Sequence, residues 1–202
     1  LCLSLATAFE PLPRDLPAAT LVVGVCVLRA LRGLGAQGIA LKWPNDLVAV
    51  GADGGLAKAG GILVELRAEA GGPAQVVVGI GLNLRAPAAL ATALAAQADG
   101  GGALRPVGLV DLGVAVAARN AVAAAVVSQC IEGLEAFAAQ GFAPFRAEWR
   151  AMDALRGRTV RVQDAAGASG GVACGIDDDG ALLLEGPDGA RRALVAGEVS
   201  VR

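Results

Sequence analysis

The sequence predicts an α+β protein in two parts, a core domain over residues 1–153 and a small β module over residues 154–202. Three observations support this prediction. Strand-like alternating segments and helix-like apolar segments share the first part, a long helical pattern follows them, and short strands separated by glycine turns fill the end. With 202 residues, the chain is long enough for one real core and an additional module.

The first part predicts strands around one core helix. Leu1 to Leu5 alternate as in a strand already under way, and the chain has no Met at position 1, so we expect it to be part of a longer protein. Residues 17–34 have helical periodicity and end at Gly33 and Gly35. Further strands are predicted at residues 39–43, 47–50, 56–66 and 75–84, with turns at 44–46, 51–55 and 69–73.

The second half predicts helices and then short strands. We expect helices near residues 87–97, 111–140 and 142–153, with a glycine loop at 100–102. The apolar segment at 112–131 contains charged and amide residues, which indicates a buried or amphipathic helix and not a membrane span. Five short strands, at residues 159–163, 168–176, 181–185, 190–195 and 198–201, predict a small barrel.

Composition excludes several classes of function. The chain has no histidine, so it cannot contain a Ser-His-Asp or Cys-His nucleophile, a histidine base or a His-ligated zinc. A net charge of −2 and a pI near 5.2 give no basic field for nucleic acid. Four scattered cysteines fit reduced thiols in a cytoplasmic protein, and no metal cluster is visible.

Lysine is rare, and both lysines lie in distinctive segments. Lys42 and Lys58 stand against fifteen arginines, which indicates positions where a compact ammonium is needed. The two can face one another across neighbouring strands. Counting by two places Lys58 on one face with Gly60 and Ile62, either at a sheet edge or in a pocket.

A second glycine pattern lies on the following strand. The same count brings Gly79, Gly81 and Asn83 to one face, which indicates either a bare floor for a ligand or a bulge in an ordinary strand.

Three segments together resemble the biotin protein ligase family. They are Lys42-Trp43-Pro44-Asn45-Asp46, Lys58 opening a Gly-Ile-Leu-Val-Glu strand, and Gly79-Ile80-Gly81-Leu82-Asn83. The segments at 180–185 and 197–200 resemble the small SH3-like barrel that closes these enzymes. The resemblance implies a core related to class II aminoacyl-tRNA synthetases, with a mixed, largely antiparallel sheet.

It also implies a reaction. Biotin and ATP with Mg²⁺ would give biotinyl-5′-adenylate, and biotin would then pass to a lysine of a biotin carboxyl carrier protein. Neither step needs a histidine, because positive charge and positioning carry the chemistry. A homodimer is possible, whereas nucleic acid and membranes are not expected as partners of this chain.

Site roles follow from the same resemblance. Lys58 would contact the biotin carboxylate and α-phosphate, and Asp46 would orient or deprotonate the acceptor amine or merely cap a turn. Trp43 would pack, in preference to a catalytic role. The remaining residues would lie by the nucleotide phosphates or metal (Lys42, Asn45), lie under the biotin ring (Gly79, Gly81), form the wall of the biotin pocket (Gly60, Gly61, Ile62) and contact adenine (Asn83).

The sequence departs from the family at its start. A Ser/Thr-Asn segment and a glycine- and arginine-rich loop precede this region in the family, and we expect their absence to weaken ligand retention and to leave little turnover. Two other interpretations are a lipoate or octanoate transferase of related fold, and a non-catalytic module that binds biotinyl-adenylate.

Overall fold

The computed structural model describes residues 1–13, 15–68, 74–86, 104–115, 119–164 and 167–201. The predicted turn at 69–73, the helix at 87–97 and the loop at 100–102 lie outside the described residues. The described elements form an α+β fold with two five-stranded sheets.

The first sheet contains the residues of the predicted site. Its strands are β1 (Cys2–Phe9), β2 (Ile39–Lys42), β3 (Asp46–Val50), β4 (Leu56–Ala68) and β5 (Ala74–Leu82), in the order β1-β5-β4-β3-β2. Every ladder between these strands is antiparallel. Parallel pairing is limited, in the described part of the chain, to isolated bridges at Leu41–Asp153 and Lys58–Pro106. The expected mixed sheet is therefore antiparallel among its described strands.

In the described part of the chain, the first of three helices covers one face of this sheet, and the other two pack mainly against that helix. The three helices are α1 (Ala19–Gly33), α2 (Arg119–Gln140) and α3 (Ala143–Ala151), with 3-10 turns at Leu16–Ala18 and Leu109–Leu112. Every residue from 21 to 28 of α1 is buried, as expected for a helix packed on all sides. Gly24 allows α1 to approach the sheet, because a Cβ there would lie 3.3 Å from Leu41 and 3.7 Å from Ile62.

The predicted long helix begins later than expected. Residues 109–112 form a 3-10 turn that ends at Gly113, whose φ of +91° is a left-handed conformation that favours glycine. Helix α2 itself is amphipathic, with a buried stripe that includes Val122, Val126, Cys130 and Phe137. Residues 16–33 and α2 are each long and apolar enough to cross a membrane, but 67% of the former segment is buried inside the protein, as in a core helix.

The C-terminal strands match the prediction closely. They are β6 (Thr159–Asp164), β7 (Gly167–Ile176), β8 (Leu182–Glu185), β9 (Arg191–Leu194) and β10 (Glu198–Val201). They form an antiparallel sheet in the order β10-β6-β7-β8-β9, and its outer strands β10 and β9 are not paired with each other in the described ladders. The five strands are therefore confirmed, whereas a closed barrel is not found. The boundary after residue 153 stays a prediction.

Among the described residues, two side-chain hydrogen bonds join turns of the first sheet to segments that flank strands of the second. The Trp43 indole Nε1 donates to the Gly180 carbonyl at 3.0 Å, and the Arg158 guanidinium donates to the Gly54 carbonyl at 2.6 Å. Trp43 is only 2% exposed, so the predicted packing role is confirmed. Its peptide bond to Pro44 is cis.

Candidate active site

A row of directly paired residues crosses the first sheet. Lys42 pairs with Asp46, Asp46 pairs with Gly61, and Gly61 pairs with Gly81. Directly opposite residues of antiparallel strands point to the same face, about 5 Å apart. Three chain segments that are distant in sequence therefore share one surface, on the side opposite α1.

Asp46 joins both lysines of the protein. Its Oδ2 lies 3.0 Å from Lys42 Nζ, and its Oδ1 lies 2.5 Å from Lys58 Nζ. The exposed fractions of the three side chains differ, at 7% for Lys42, 13% for Asp46 and 44% for Lys58. Of the two lysines, Lys58 is thus the cation that a ligand can reach, while Lys42 is the buried ion-pair partner of Asp46.

The two lysines do not lie on neighbouring strands. Lys42 is on β2 and Lys58 is on β4, and β3 runs between them. The prediction that they face one another across adjacent strands was wrong. The turn at residues 43–45 and strand β3 instead place a carboxylate between them, which holds two like charges in one small site.

The face of Lys58 also differs from the prediction. The β3–β4 register shifts, because Leu47 pairs with Gly60 whereas Val48 pairs with Lys58, so Ala59 is an additional residue. Such a bulge interrupts the alternation of side chains. Lys58 therefore shares the open face with Gly61, where a Cβ would lie 3.6 Å from the lysine Nζ, and Ile62 points to the helices.

The glycines divide into two groups. A Cβ on Gly60 would lie 2.4 Å from the Gly81 carbonyl oxygen, so Gly60 is required by close backbone approach. A Cβ on Gly61, Gly79 or Gly81 would meet no atom closer than 3.6 Å. The last three form an open floor, hereafter the glycine floor. The prediction that Gly79 and Gly81 lie on the same face of their strand is confirmed by the register.

Two amide side chains tie the ends of this site to β4. Asn45 Nδ2 donates to the Ile62 carbonyl, and Asn83 Nδ2 donates to the Lys58 carbonyl, both at 2.9 Å. The Asn45 carbonyl also accepts from the Ile62 amide. The roles predicted for these residues toward phosphate and adenine stay predictions. In the structure, both amides fix the backbone around Lys58.

One neighbour of Lys58 was not predicted from any sequence pattern. Residues 105–107 run beside β4, where the Lys58 amide donates to the Arg105 carbonyl and the Val107 amide donates to the Lys58 carbonyl. This segment follows a stretch without strand periodicity, so no pattern placed it at the site. It fixes the backbone from which the lysine side chain extends.

Comparison with known proteins gives the family. Residues 1–83 match the Biotin/lipoate A/B protein ligase family, and residues 156–202 match the Biotin protein ligase C terminal domain. The Bifunctional ligase/repressor BirA of Escherichia coli (strain K12) is 33% identical over 202 residues, which cover 100% of this chain. The chain belongs to the biotin protein ligase family.

Further relatives and solved structures support the same family. The Biotin--[acetyl-CoA-carboxylase] ligase of Paracoccus denitrificans is 35% identical over 168 residues, covering 80% of this chain and 62% of that protein. The chain spans 58% of the length of the E. coli ligase. The apo biotin protein ligase of Aquifex aeolicus has the same fold, with a TM-score of 0.75, 24% identity and coverage of 100% of this chain and 82% of that one. Its complex with biotin and ATP also gives 0.75 and 24%, covering 100% and 78% respectively.

Proposed function

We propose that this protein activates biotin with ATP and transfers it to a lysine of a biotin carboxyl carrier protein. The observation that carries the proposal is the half-exposed Lys58 ammonium beside the glycine floor, 2.5 Å from Asp46. Membership of the biotin protein ligase family supports it, as does the fold shared with a ligase that was solved with biotin and ATP. The shared surface has room for a bicyclic ring over the glycines and for an anionic head at Lys58.

In the first step, a biotin carboxylate oxygen attacks the α-phosphorus of ATP, the bond to the bridging oxygen breaks, and pyrophosphate leaves. Lys58 stabilises the negative charge on the carboxylate and phosphate oxygens. A cation fixed before the reaction lowers the barrier more than one that must be reoriented. The backbone contacts at Arg105, Val107 and Asn83 fix the strand that carries Lys58.

In the second step, the acceptor amine attacks the acyl carbon, and AMP leaves with the electron pair of the broken C–O bond. Asp46 is the carboxylate next to Lys58 and is the group we assign to orient the amine or take its proton. Both Asp46 oxygens contact lysines in the structure. When the Lys58 ammonium contacts the substrate anion instead of Asp46, Asp46 Oδ1 would become available to the amine. The ion pair with Lys42 would keep the Asp46 side chain in place.

The described side chains offer few ligands for a metal ion. Within the described ranges, no group of three or more His, Cys, Asp or Glu side chains could hold a metal ion, and Asp46 is already paired twice. This donor set does not fit a resident ion. We propose that Mg²⁺ enters with ATP and is coordinated chiefly by phosphates and water, as is usual for this ion.

The finer features of the family extend the proposal. We assign the first sheet and its helices to the class II aminoacyl-tRNA synthetase-like fold, and the second sheet to the SH3-like type. Gly79 and Gly81 would lie under the biotin ring, Gly61 under the acyl arm, and Asn45 and Asn83 near the phosphates and adenine. The cytoplasmic location and the homodimer stay predictions.

The test is transfer to a purified carrier domain. The protein, ATP, Mg²⁺ and the carrier are incubated with biotin, lipoate or octanoate, and the carrier mass is measured. A biotin adduct on the carrier lysine is expected, with no lipoyl or octanoyl adduct. An adduct from lipoate or octanoate alone would replace the proposal with an acyltransferase of related fold, and no adduct with any acid would refute ligation by this chain.

A further inference from the structure

Strand β1 presents a second, polar face beside the glycine floor. Leu1, Leu3 and Leu5 pack against the core, whereas Cys2 and Ser4 alternate with them and are exposed. In register, Cys2 pairs with Gly81 and Ser4 pairs with Gly79. Because direct partners share a face, both side chains point to the side of the sheet that carries Lys58.

Cys2 completes the row that crosses the sheet. The row runs from Cys2 to Gly81, Gly61 and Asp46 over four neighbouring strands. With a strand spacing of about 4.8 Å, Cys2 lies about 14 Å from Asp46 along the row. The two positions between them are bare, since a Cβ on Gly81 would have its nearest neighbour at 3.9 Å.

Among the residues that the structure describes, one direction from Lys58 is free of side chains along this face. Toward β2, the surface is occupied by Asp46 and Lys42. Along β4, the next side chain on the same face is Leu63, which is 60% exposed and stands beside Gly79. Toward β1, the surface is glycine backbone until Cys2. An acid whose carboxylate meets Lys58 therefore extends its other end toward β1.

We propose that Cys2 and Ser4 form the far wall of the substrate floor, where they contact the ring end of bound biotin and limit the size of the acid that fits. This inference rests on the proposed function. Residues 2 and 4 would then select the substrate by shape, while Lys58 meets the carboxylate that every candidate acid shares. A larger side chain at residue 2 should shorten the floor.

The four cysteines make the proposal testable by alkylation. Cys2 is exposed and Cys174, in the second sheet, is partly exposed, whereas burial raises the pKa of Cys26 to about 11 and that of Cys130 to about 12. The buried thiols stay neutral and unreactive at pH 8. Iodoacetamide and mass spectrometry therefore report on Cys2, with Cys174 as an internal control.

The experiment measures the alkylation rates with and without biotin, while calorimetry on the same sample measures binding. At about 100 times the dissociation constant, biotin should slow Cys2 alkylation at least about tenfold and leave Cys174 unchanged. A matched control moves the thiol along β1. In Cys2→Ser with Ala8→Cys, the new thiol lies on the same exposed face, about 20 Å away at 3.3 Å per residue, and should not be protected.

Size is tested by Cys2→Trp against Ala8→Trp, with melting temperatures measured for both. Biotin affinity should fall about tenfold or more in Cys2→Trp only, since the indole would overlap the space assigned to the ring. Equal alkylation of Cys2 with and without bound biotin, or unchanged affinity in folded Cys2→Trp, would overturn the inference and leave ligation intact. If calorimetry shows no biotin binding, the proposed function fails and this inference with it.

Discussion

Gly60 on β4 and Gly81 on β5, which lie one residue apart in the register of the two strands, should respond oppositely to substitution. Gly60→Ala places a Cβ 2.4 Å from the Gly81 carbonyl oxygen and 2.9 Å from Leu82 Cδ2, and the first contact is to backbone that cannot rotate away. We expect a loss of stability near the upper end of the usual overpacking cost, about 3 kcal/mol. For a chain of this length, that lowers the melting temperature by about 6–12 °C.

Gly81→Val should instead affect the ligand. The nearest atom to a Cβ there is 3.9 Å away, so the free energy of unfolding should change by no more than about 1 kcal/mol, the span of strand propensities. The valine methyls would occupy the glycine floor, and an overlap costing about 1–3 kcal/mol weakens biotin binding about 5- to 150-fold.

Urea unfolding and calorimetry on each variant separate these effects. Gly81→Ala is the matched control, since it adds the same methyl group as Gly60→Ala without the backbone contact. Equal destabilisation by Gly81→Ala and Gly60→Ala would refute the close backbone contact as the cause. Unchanged biotin affinity in folded Gly81→Val would refute the glycine floor as the binding surface.

Three further predictions concern single side chains. Lys58→Arg should lower adenylate formation about 100- to 1,000-fold, because a planar guanidinium cannot replace the fixed ammonium near Asp46; a rate within about threefold of wild type in a folded variant would end that assignment. Trp43→Phe leaves the Gly180 carbonyl without its buried donor and should cost about 1–3 kcal/mol in urea unfolding, against which an unchanged midpoint would count. Burial raises the pKa of the Asp153 carboxyl, so the native state holds its proton more tightly and the stability from this group falls as pH rises from the usual aspartate value through the folded pKa. The melting temperature of Asp153→Asn should therefore rise relative to that of wild type as the pH increases through this range. A difference in melting temperature that does not change with pH would contradict burial of the carboxyl as the cause.

Much of the fold could be predicted from local sequence. All five C-terminal strands and α1 lie within a few residues of the predicted bounds, because glycine turns and apolar periodicity are local signals. The start of α2 was missed because the apolar residues at 109–112 continue the helical pattern, and only the left-handed Gly113 ends the turn. Sheet closure depends on long-range pairing, which periodicity does not encode.

Which residues form the site could be predicted from the sequence, whereas their arrangement in space could not. Lys42 and Lys58 were identified from their rarity, the glycines of β5 from their spacing and Asp46 from the family resemblance, and the structure brings them to one surface. Their arrangement depends on a single additional residue, Ala59. A bulge shifts the alternation by one, and a count by two from either end of the strand cannot detect it.

The most direct test of biotin activation at Lys58 is the exchange of labelled pyrophosphate into ATP by the purified protein. Exchange requires reversible formation of the adenylate and needs no carrier protein. We predict exchange that depends on biotin and saturates with it. A folded protein that binds both biotin and ATP, yet shows no more exchange with biotin than without it, would contradict the account.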